Sequence, residues 1–561
     1  MAQQLYFSRD TRMFVQFRNT TENTEAVGDL GKGALWEIPI LDGYSFSQAT
    51  NTSEIALSEM ESSAGISRRG RRMFTDSLAP AEWSFSTYAR PFKSVGQTAI
   101  GTLNTTIKSA ELGTGTDAHA VEEVLWASMF GADKYDTATS TFVRNVQPVS
   151  GVETNVITPS GGAGASSTVN IGESNRSAMH SFTLYFLIDT STARPLLYRM
   201  PEAVVNEASV DFDVDGIATI SWSGFSKEIQ DNSAKLAISS RHDATVSNGR
   251  VSGTDNLLVG DLVVDTGNTR SVSIVNSVSS AQAVVTQAID EAITSTKNFI
   301  RNRLTGVSIE AAESADKIIG VFPGNSAAIT GLTKVAGAVA TATAHGFAVG
   351  DKVFVTGTCG ITVSSVDVLQ NIEHTITAVP SVNSFTIGTL DLSSGSVGTF
   401  SATNLVGANG KYNLTLTGGS FNLGNNITYL VPEELGAINK PLEHVTGTRT
   451  ATGNATCYLT LDDVNQSSGT SRQFFNDLVG TGAMAKVVNK FKVTMDVGGT
   501  AAAADDTSPA MSITFPTAHI EVPSHSIEDV ISLETSFTAL PTDFGSADEV
   551  TSIIYKPPGT Y

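Results

Sequence analysis

The stretch AEWSFSTYARPF (residues 81–92) decides the fold class. Trp83, Phe85 and Thr87 alternate with Ser84, Ser86 and Tyr88, one set suited to a core and the other to a polar face. That is the period of a half-buried strand. The same period recurs outward. Upstream, WEIPILDGYSFSQATNTSEIAL (36–57) alternates at Ile38 and Ile40 and again at Tyr44 and Phe46, and Asp42-Gly43 reads as the turn between. The polar stretch 58–80 that joins the two segments reads as a loop of mixed charge. Downstream, MHSFTLYFLIDT (179–190) and RPLLYRMPEAVVNEASVDFDVDGIATISWSG (194–224) hold further strands, with Asp215-Gly216 as a hairpin turn. NKFKVTMDV, AMSITF and VISLETSFTAL carry the pattern to the far end.

Helical periodicity is clearest in DAHAVEEVLWASMFG (117–131). Asp117 is placed to cap it, Val121, Val124, Leu125 and Met129 form an apolar stripe, and Gly131 can stop it. TQAIDEAI and AAESADKIIG are shorter helix-like pieces. Residues 241–295 change character, being rich in Val, Ser and Thr. Residues 312–404 read as an inserted module with hairpin language in HTITAVPSVNSFTIG.

A weak internal repeat links the two ends. Pro201 and Ala203 precede Ser209-Val210-Asp211 much as Pro516 and Ala518 precede Ser526-Ile527-Glu528. GGSFNLGNNITYL resembles DGYSFSQATNTSEIAL in the same order, with Asn425-Asn426 as a further hairpin turn. Two copies of a β unit with one helix each, interrupted by insertions, account for both matches.

Composition restricts function. Of 561 residues only 16% are charged, and 56 Asp plus Glu against 35 Lys plus Arg leave a net charge of −21. Such a chain is a poor clamp for a phosphate backbone. Hydrophobic content of 40% is too high for disorder. The two cysteines, Cys359 and Cys457, rule out a zinc site built on cysteine pairs and read as lone thiols. The opening MAQQLYFSRD lacks the basic and apolar regions of a secretion signal, and residues 331–350 hold too many polar residues and glycines to span a membrane.

The search for chemistry returns little. Among eight histidines, His519 and His525 are the nearest pair, with no carboxylate spacing that would make a metal site. His119 reads as a capping or surface residue. No phosphate-binding glycine loop or nucleophile elbow occurs in a fitting context. The expectation is that the protein is not an enzyme and takes no cofactor and no metal. Asp211, Asp213 and Asp215 alternate in an extended segment, so their carboxylates form a charged row; residue 222 is Trp where a calcium loop needs Glu. Arg68, Arg69, Arg71 and Arg72 form the one basic cluster, suited to an acidic surface on another copy of the chain.

At RGRRMFTDSLAPAEWSFSTYARPFK (69–93) the sequence resembles the tail tube (major tail) proteins of long-tailed coliphages, whose tubes are built from trimers of a duplicated subunit. The resemblance continues at Trp222-Ser223-Gly224, Asn302-Arg303-Leu304-Thr305, Thr417-Gly418-Gly419-Ser420-Phe421 and Asn425-Asn426-Ile427-Thr428-Tyr429-Leu430. It ends through Val488-Asn489-Lys490-Phe491 and Ala518-His519-Ile520-Glu521-Val522-Pro523. It implies a mainly β fold of two tandem tail-tube-type β-sandwich or barrel units, each with a flanking helix, plus inserted small β-rich modules. The expected layout is a first unit at 1–240, an extension or linker at 241–295, a second unit at 296–311 with 405–561, and a decoration-like module at 312–404. One member of the family carries an immunoglobulin-like decoration after its second unit, for which no counterpart is read here.

The same resemblance implies a structural subunit of the virion tail, assembled in the host cytoplasm into stacked trimeric, pseudo-hexameric rings that conduct DNA. Its expected partners are itself, the tail terminator, the baseplate or distal tail proteins, the tape measure protein and, in passing, double-stranded DNA; no membrane binding is expected. Arg68, Arg69, Arg71, Arg72 and Trp83 are then candidates for subunit contacts, and Asp211, Asp213 and Asp215 for an acidic lumen. A baseplate hub or adhesin using the same β unit is the alternative.

Overall fold

The structure, a computed structural model, describes residues 6–17, 35–56, 71–93, 117–311 and 326–557, apart from short stretches within the last two spans. It is mostly β-strand, with two short α-helices among the described residues. A large sheet system carries most of the chain, and a six-stranded sheet and a closed six-stranded barrel are added to it.

The large system is built from β1 (Thr11–Phe17), β2 (Leu35–Ile38), β3 (Ser45–Ala56), β4 (Arg71–Tyr88), α1 (Glu123–Met129), β5 (Phe182–Ile188), β6 (Leu196–Asp213) and β7 (Thr219–Ser226). Later in the chain come β8 (Gly306–Ala311), β9 (Lys411–Gly424), β10 (Thr450–Tyr458), α2 (Ser471–Val479), β11 (Phe491–Val497), β12 (Ala510–Ile520), β13 (Ser524–Ile527), β14 (Ile531–Ala539) and β15 (Ser552–Lys556).

The same antiparallel pairings occur in both halves in the same chain order. β1 pairs with β2 and β5 as β8 pairs with β9 and β11. β6 joins β5 to β7, and β12 with β13 joins β11 to β14. β4 lies between β7 and β3 as β10 lies between β14 and β9. Even the irregularities agree: the register slips just after Phe182 pairs with Ala203, and just after Phe491 pairs with Ala518. A single turn of 3₁₀ helix precedes β1 at Ser8–Asp10 and β8 at Asn302–Leu304.

One core cluster runs through both halves. Trp83, Phe85 and Thr87 are buried while Glu82 and its alternate neighbours face out, as the period of 81–92 predicts. Buried indoles need an acceptor for their N–H. Trp83 donates to the Phe225 carbonyl at 3.2 Å, Trp222 to Thr87 Oγ1 at 3.0 Å, and Trp126 to the Tyr555 hydroxyl at 2.8 Å. The last bond ties α1 to β15, 429 positions apart in the chain.

Several local readings change. α1 begins at Glu123, and Asp117 precedes a short strand, Ala118–Ala120, instead of capping the helix. All seven α1 residues are buried, so it has no apolar stripe and no wet face; it is enclosed rather than laid on a surface. His119 is buried as well, 3.1 Å from the Glu123 carboxylate. Gly131 does stop the helix, with φ +75°. The supposed loop 58–80 gives way at Arg71 to strand, because β3 runs on to Ala56 and pairs with Arg71. Asp42-Gly43 does turn the chain, Gly43 at φ +96°, but β2 and β3 pair with β1 and β4 rather than with each other. Asn425-Asn426 is a corner, not a hairpin: Thr428–Leu430 pairs with Glu443–Val445, and buried Asn425 donates to the carbonyls of Met129 and Val205. His525 lies in β13, with its ring edge-on to Phe475. Gln287 ends a strand rather than joining a helix; most of TQAIDEAI and of AAESADKIIG lies outside the described residues, as does Cys359. Cys457 is a free, buried thiol.

Residues of 241–295 contribute to the six-stranded sheet, which starts at Ala237 and ends at Gln287. Leu262, Val264, Val272 and Ile274 pack on Phe14, Leu35, Tyr185 and Leu187, so this sheet covers the back of β1, β2 and β5. The barrel closes between Ser326 and Ala408 around its own core, which includes Ala338, Ala340, Ile376 and Phe385. It includes the 331–350 stretch, and no helix among the described residues is long and apolar enough to cross a membrane.

Candidate assembly interface

Eight strands line up across one face in the order β3, β4, β7, β6, β9, β10, β14, β13. The centre of this order is the junction of β6 with β9, where the two halves meet. Val210 lies opposite Phe421, Asp211 opposite Ser420 and Phe212 opposite Gly419. The contact is close, since a Cβ on Gly419 would stand 2.7 Å from the Phe212 ring.

The ends of the order are different. Among the described residues β3 pairs only with β4, and β13 only with β14, so each offers an edge. Following the shared register, β13 takes the place that the end of β6 holds in the first half, with Ser524, His525, Ser526 and Ile527 standing for Ser209, Val210, Asp211 and Phe212. The start of β3 likewise takes the place of the end of β9. Covered by β9, Phe212 is 3% exposed, whereas Ile527 on the open edge is 79% exposed. The sequence match of Ser526 to Ser209 is therefore two residues out of register, because similarity along a strand says nothing of which residue it pairs with.

One face of the eight strands is polar. Tyr88, Thr219, Asp211, Ser420, Asn454 and Ser536 form one cross-strand row, and Ser86, Ser221, Ser209, Asn422, Thr452 and Thr538 form the next. Glu82, Glu207, Asp213 and Glu534 belong to the same face, Glu207 accepting a hydrogen bond from Asn422. Neither row, nor this set of carboxylates, includes a Lys or Arg. Small hydroxyl side chains and carboxylates therefore meet solvent there, with the large apolar residues behind them.

The predicted site residues fall in four places. Asp211 and Asp213 stand exposed on this face at the end of β6. Asp215 does not share their strand: it lies in the turn, 3.5 Å from Arg303. Arg71 and Arg72 are exposed at the far end of the β3–β4 hairpin, Arg71 pairing with Glu54 at 3.1 Å, while Arg68 and Arg69 lie outside the described residues. Trp83 is enclosed by its own chain, stacked on Phe85 at 5.2 Å. The open edges themselves carried no sequence signal beyond alternation, because an edge strand and a paired one share the same pattern.

Nothing in this arrangement resembles a catalytic constellation. Among the described residues no group of three His, Cys, Asp or Glu is placed to hold a metal ion. The buried polar cluster around α1 is closed to solvent. Burial pushes the Glu122 carboxyl up to about 7, against the lowering effects of Tyr555 and the Arg90 charge.

No protein-family model matches the chain. Over 141 residues it is 35% identical to the "Tail tube protein pb6" of Escherichia phage T5, a match covering 25% of this chain and 28% of that protein. The chain is thus a distant homologue, over a quarter of its length, of a phage tail tube protein.

Proposed function

We propose that the chain is a structural, non-enzymatic subunit of a phage tail tube, made of two copies of one β unit. Three chains close a pseudo-hexameric ring, and stacked rings form a hollow conduit for DNA. The observation that carries this reading is the junction between β6 and β9. It joins the last strand of one half to the first of the next, and the free edges β13 and β3 are the counterparts of those two strands. Repeating the junction between chains pairs β13 of one copy with β3 of the next. Such a head-to-tail contact closes a ring when the rotation per unit divides a full turn. Closure removes the open edges.

On this reading the polar face lines the lumen, with Asp211 and Asp213 on it. Acidic groups without Lys or Arg repel phosphates instead of holding them. Asp215 sits at its rim. The inner position of Trp83 gives it a supporting part, setting the pleat of β4 while Ser84 and Ser86 face the channel. The basic tip of the β3–β4 hairpin, with Arg71 and Arg72, is left for contacts between rings. The tail terminator, the distal tail or baseplate proteins and the tape measure protein are the other expected partners, within a virion tail assembled in the host.

The internal register gives the test. Asp211 opposite Ser420 translates to Ser526 opposite Ser45 of the next copy. Opposed residues on antiparallel strands are about 4.5–5.5 Å apart at Cα, within disulfide range. The chain carrying Ser45→Cys and Ser526→Cys should form hollow tubes by negative stain and, once oxidised, covalent species ending at the trimer. A chain that stays monomeric at high concentration and never cross-links would refute the reading.

A further inference from the structure

A second relationship between the halves concerns the tip of the β6–β7 hairpin. There the chain entering the second half lies across the first. Ala218 N–H donates to the Ile300 carbonyl at 2.9 Å, and Asn302 N–H donates to the Gly216 carbonyl at 3.0 Å. Ile217 and Arg301 form an antiparallel bridge. The Phe299 ring meets Tyr88 edge-on at 5.4 Å. Ile300 and Ala218 are fully buried by this contact.

The second half has the same tip without the cover among the described residues. Its register is fixed by a shared bond: Leu459 N–H donates to the Ile531 carbonyl at 3.0 Å, as Ala89 N–H donates to Ala218 at 2.9 Å. Tyr458, Val530 and Ile531 therefore stand for Tyr88, Ile217 and Ala218. They are 49%, 57% and 39% exposed.

The covering segment has a counterpart too. Ile300 and Arg301 precede the 3₁₀ turn before β8; Tyr6 and Phe7 precede the 3₁₀ turn before β1. Both aromatic residues are exposed. Each chain thus presents an apolar hairpin tip at one end of its strand order and an aromatic segment at the other.

We propose that Tyr6-Phe7 of one copy docks on the β13–β14 tip of the next, Ile531 N–H donating to the Tyr6 carbonyl and Val530 lying opposite Phe7. The inference rests on the head-to-tail reading above, and it adds a second contact to the same interface. The occupant is a second copy because the tip of the first half is covered by its successor in the ring, the second half. The successor of the second half is the first half of the neighbouring chain. A backbone pairing with aromatic anchors is an ordinary mode of strand recognition.

The full-length chain carrying Phe7→Cys and Val530→Cys provides the test, with Ser45→Cys/Ser526→Cys as its companion and the single variants as controls. The variants are made with Cys359→Ser, and Cys457 does not compete, since it is buried and its thiol is pushed up to about 11. Oxidised tubes should give intermolecular disulfides with both pairs. The inference is overturned if the companion pair cross-links while the Phe7–Val530 pair does not, or joins only within one chain. If neither pair links and no tube forms, the head-to-tail reading fails and takes this contact with it. As a second measure, Tyr6→Ser/Phe7→Ser should raise the concentration needed for tube assembly on the order of ten-fold, with the melting of the unassembled chain unchanged. An unchanged assembly threshold overturns the inference.

Discussion

The indole of Trp83 lies over Gly224, its register partner on the neighbouring strand, so closely that a Cβ on the glycine would stand 2.4 Å from the ring, and 2.0 Å from the Val204 carbonyl oxygen. The second half holds the same relationship with the sizes exchanged: Phe537 covers Gly453, where a Cβ would again stand 2.4 Å from the ring. One large and one absent side chain fill each site, and which strand supplies which is immaterial to packing density.

Gly224→Ala and Gly453→Ala should therefore each destabilise the chain by about 1–3 kcal/mol, the usual range for an overpacked core. Gly306→Ala is the control, since nothing lies within 4 Å of its Cβ position and its φ is not in the left-handed region. Denaturant midpoints of the three variants check this. Equal losses at all three would mean that strand glycines matter here only through backbone entropy.

Much of this fold could be read from the sequence where one face of a strand is buried and the other wet. Trp83 to Tyr88 and the Asp215-Gly216 hairpin are of that kind. Alternation failed from Arg71 to Asp76, where both faces of the β3–β4 hairpin are exposed and no period of two can arise. It failed again in α1, whose uniform burial leaves no stripe. The barrel was hidden because Ala338, Ala340 and Ala342 form strands with residues of weak propensity, held by neighbours instead. As for the interface, its acidic residues were visible individually, but the order that gathers them on one face depends on pairings between residues up to hundreds of positions apart.

That acidic face makes a prediction about sliding. On the tube reading, Asp211→Lys/Asp213→Lys in every copy would give each ring phosphate partners in rows that otherwise hold no Lys or Arg. Tubes of the variant should retain duplex DNA in a pelleting assay at low salt. The retention should fall about ten-fold or more between roughly 50 and 200 mM salt, as counterion release requires. Wild-type tubes should retain none. DNA retention by wild-type tubes at low salt would show that the face does not work by repulsion.

Glu122 predicts a pH dependence of folding. Its carboxyl rises from an ordinary 4.5 to about 7 when buried beside Tyr555 and Trp126, with Arg90 and the His119–Glu123 pair nearby. Between these two values the folded chain keeps a proton that the unfolded chain has lost. Stability therefore falls as pH rises from 4.5 to about 7 and is level above it, so far as this group is concerned. Glu122→Gln keeps the volume and removes the step. Melting temperatures across pH 4.5–8 should show the wild type losing more stability than the variant over that window. Parallel profiles would place the pH dependence on other groups.

The barrel can be removed without disturbing the strands that carry it. Its first and last strands are neighbours, with Ser326 opposite Gly407, so the chain enters and leaves it at one place. Beyond that place β8 and β9 already pair, Glu310 lying opposite Lys411. Replacing residues 312–409 by an Asn-Gly turn would make β8 and β9 an ordinary two-residue hairpin. The pairs that define the second half, β8 with β11 and β9 with β10, are left intact. The shortened chain should fold and still form tubes of unchanged inner diameter, thinner on the outside by one barrel per chain. Imaging the tubes end-on distinguishes the outcomes: loss of outer density alone marks the barrel as decoration, whereas loss of assembly would place it between rings.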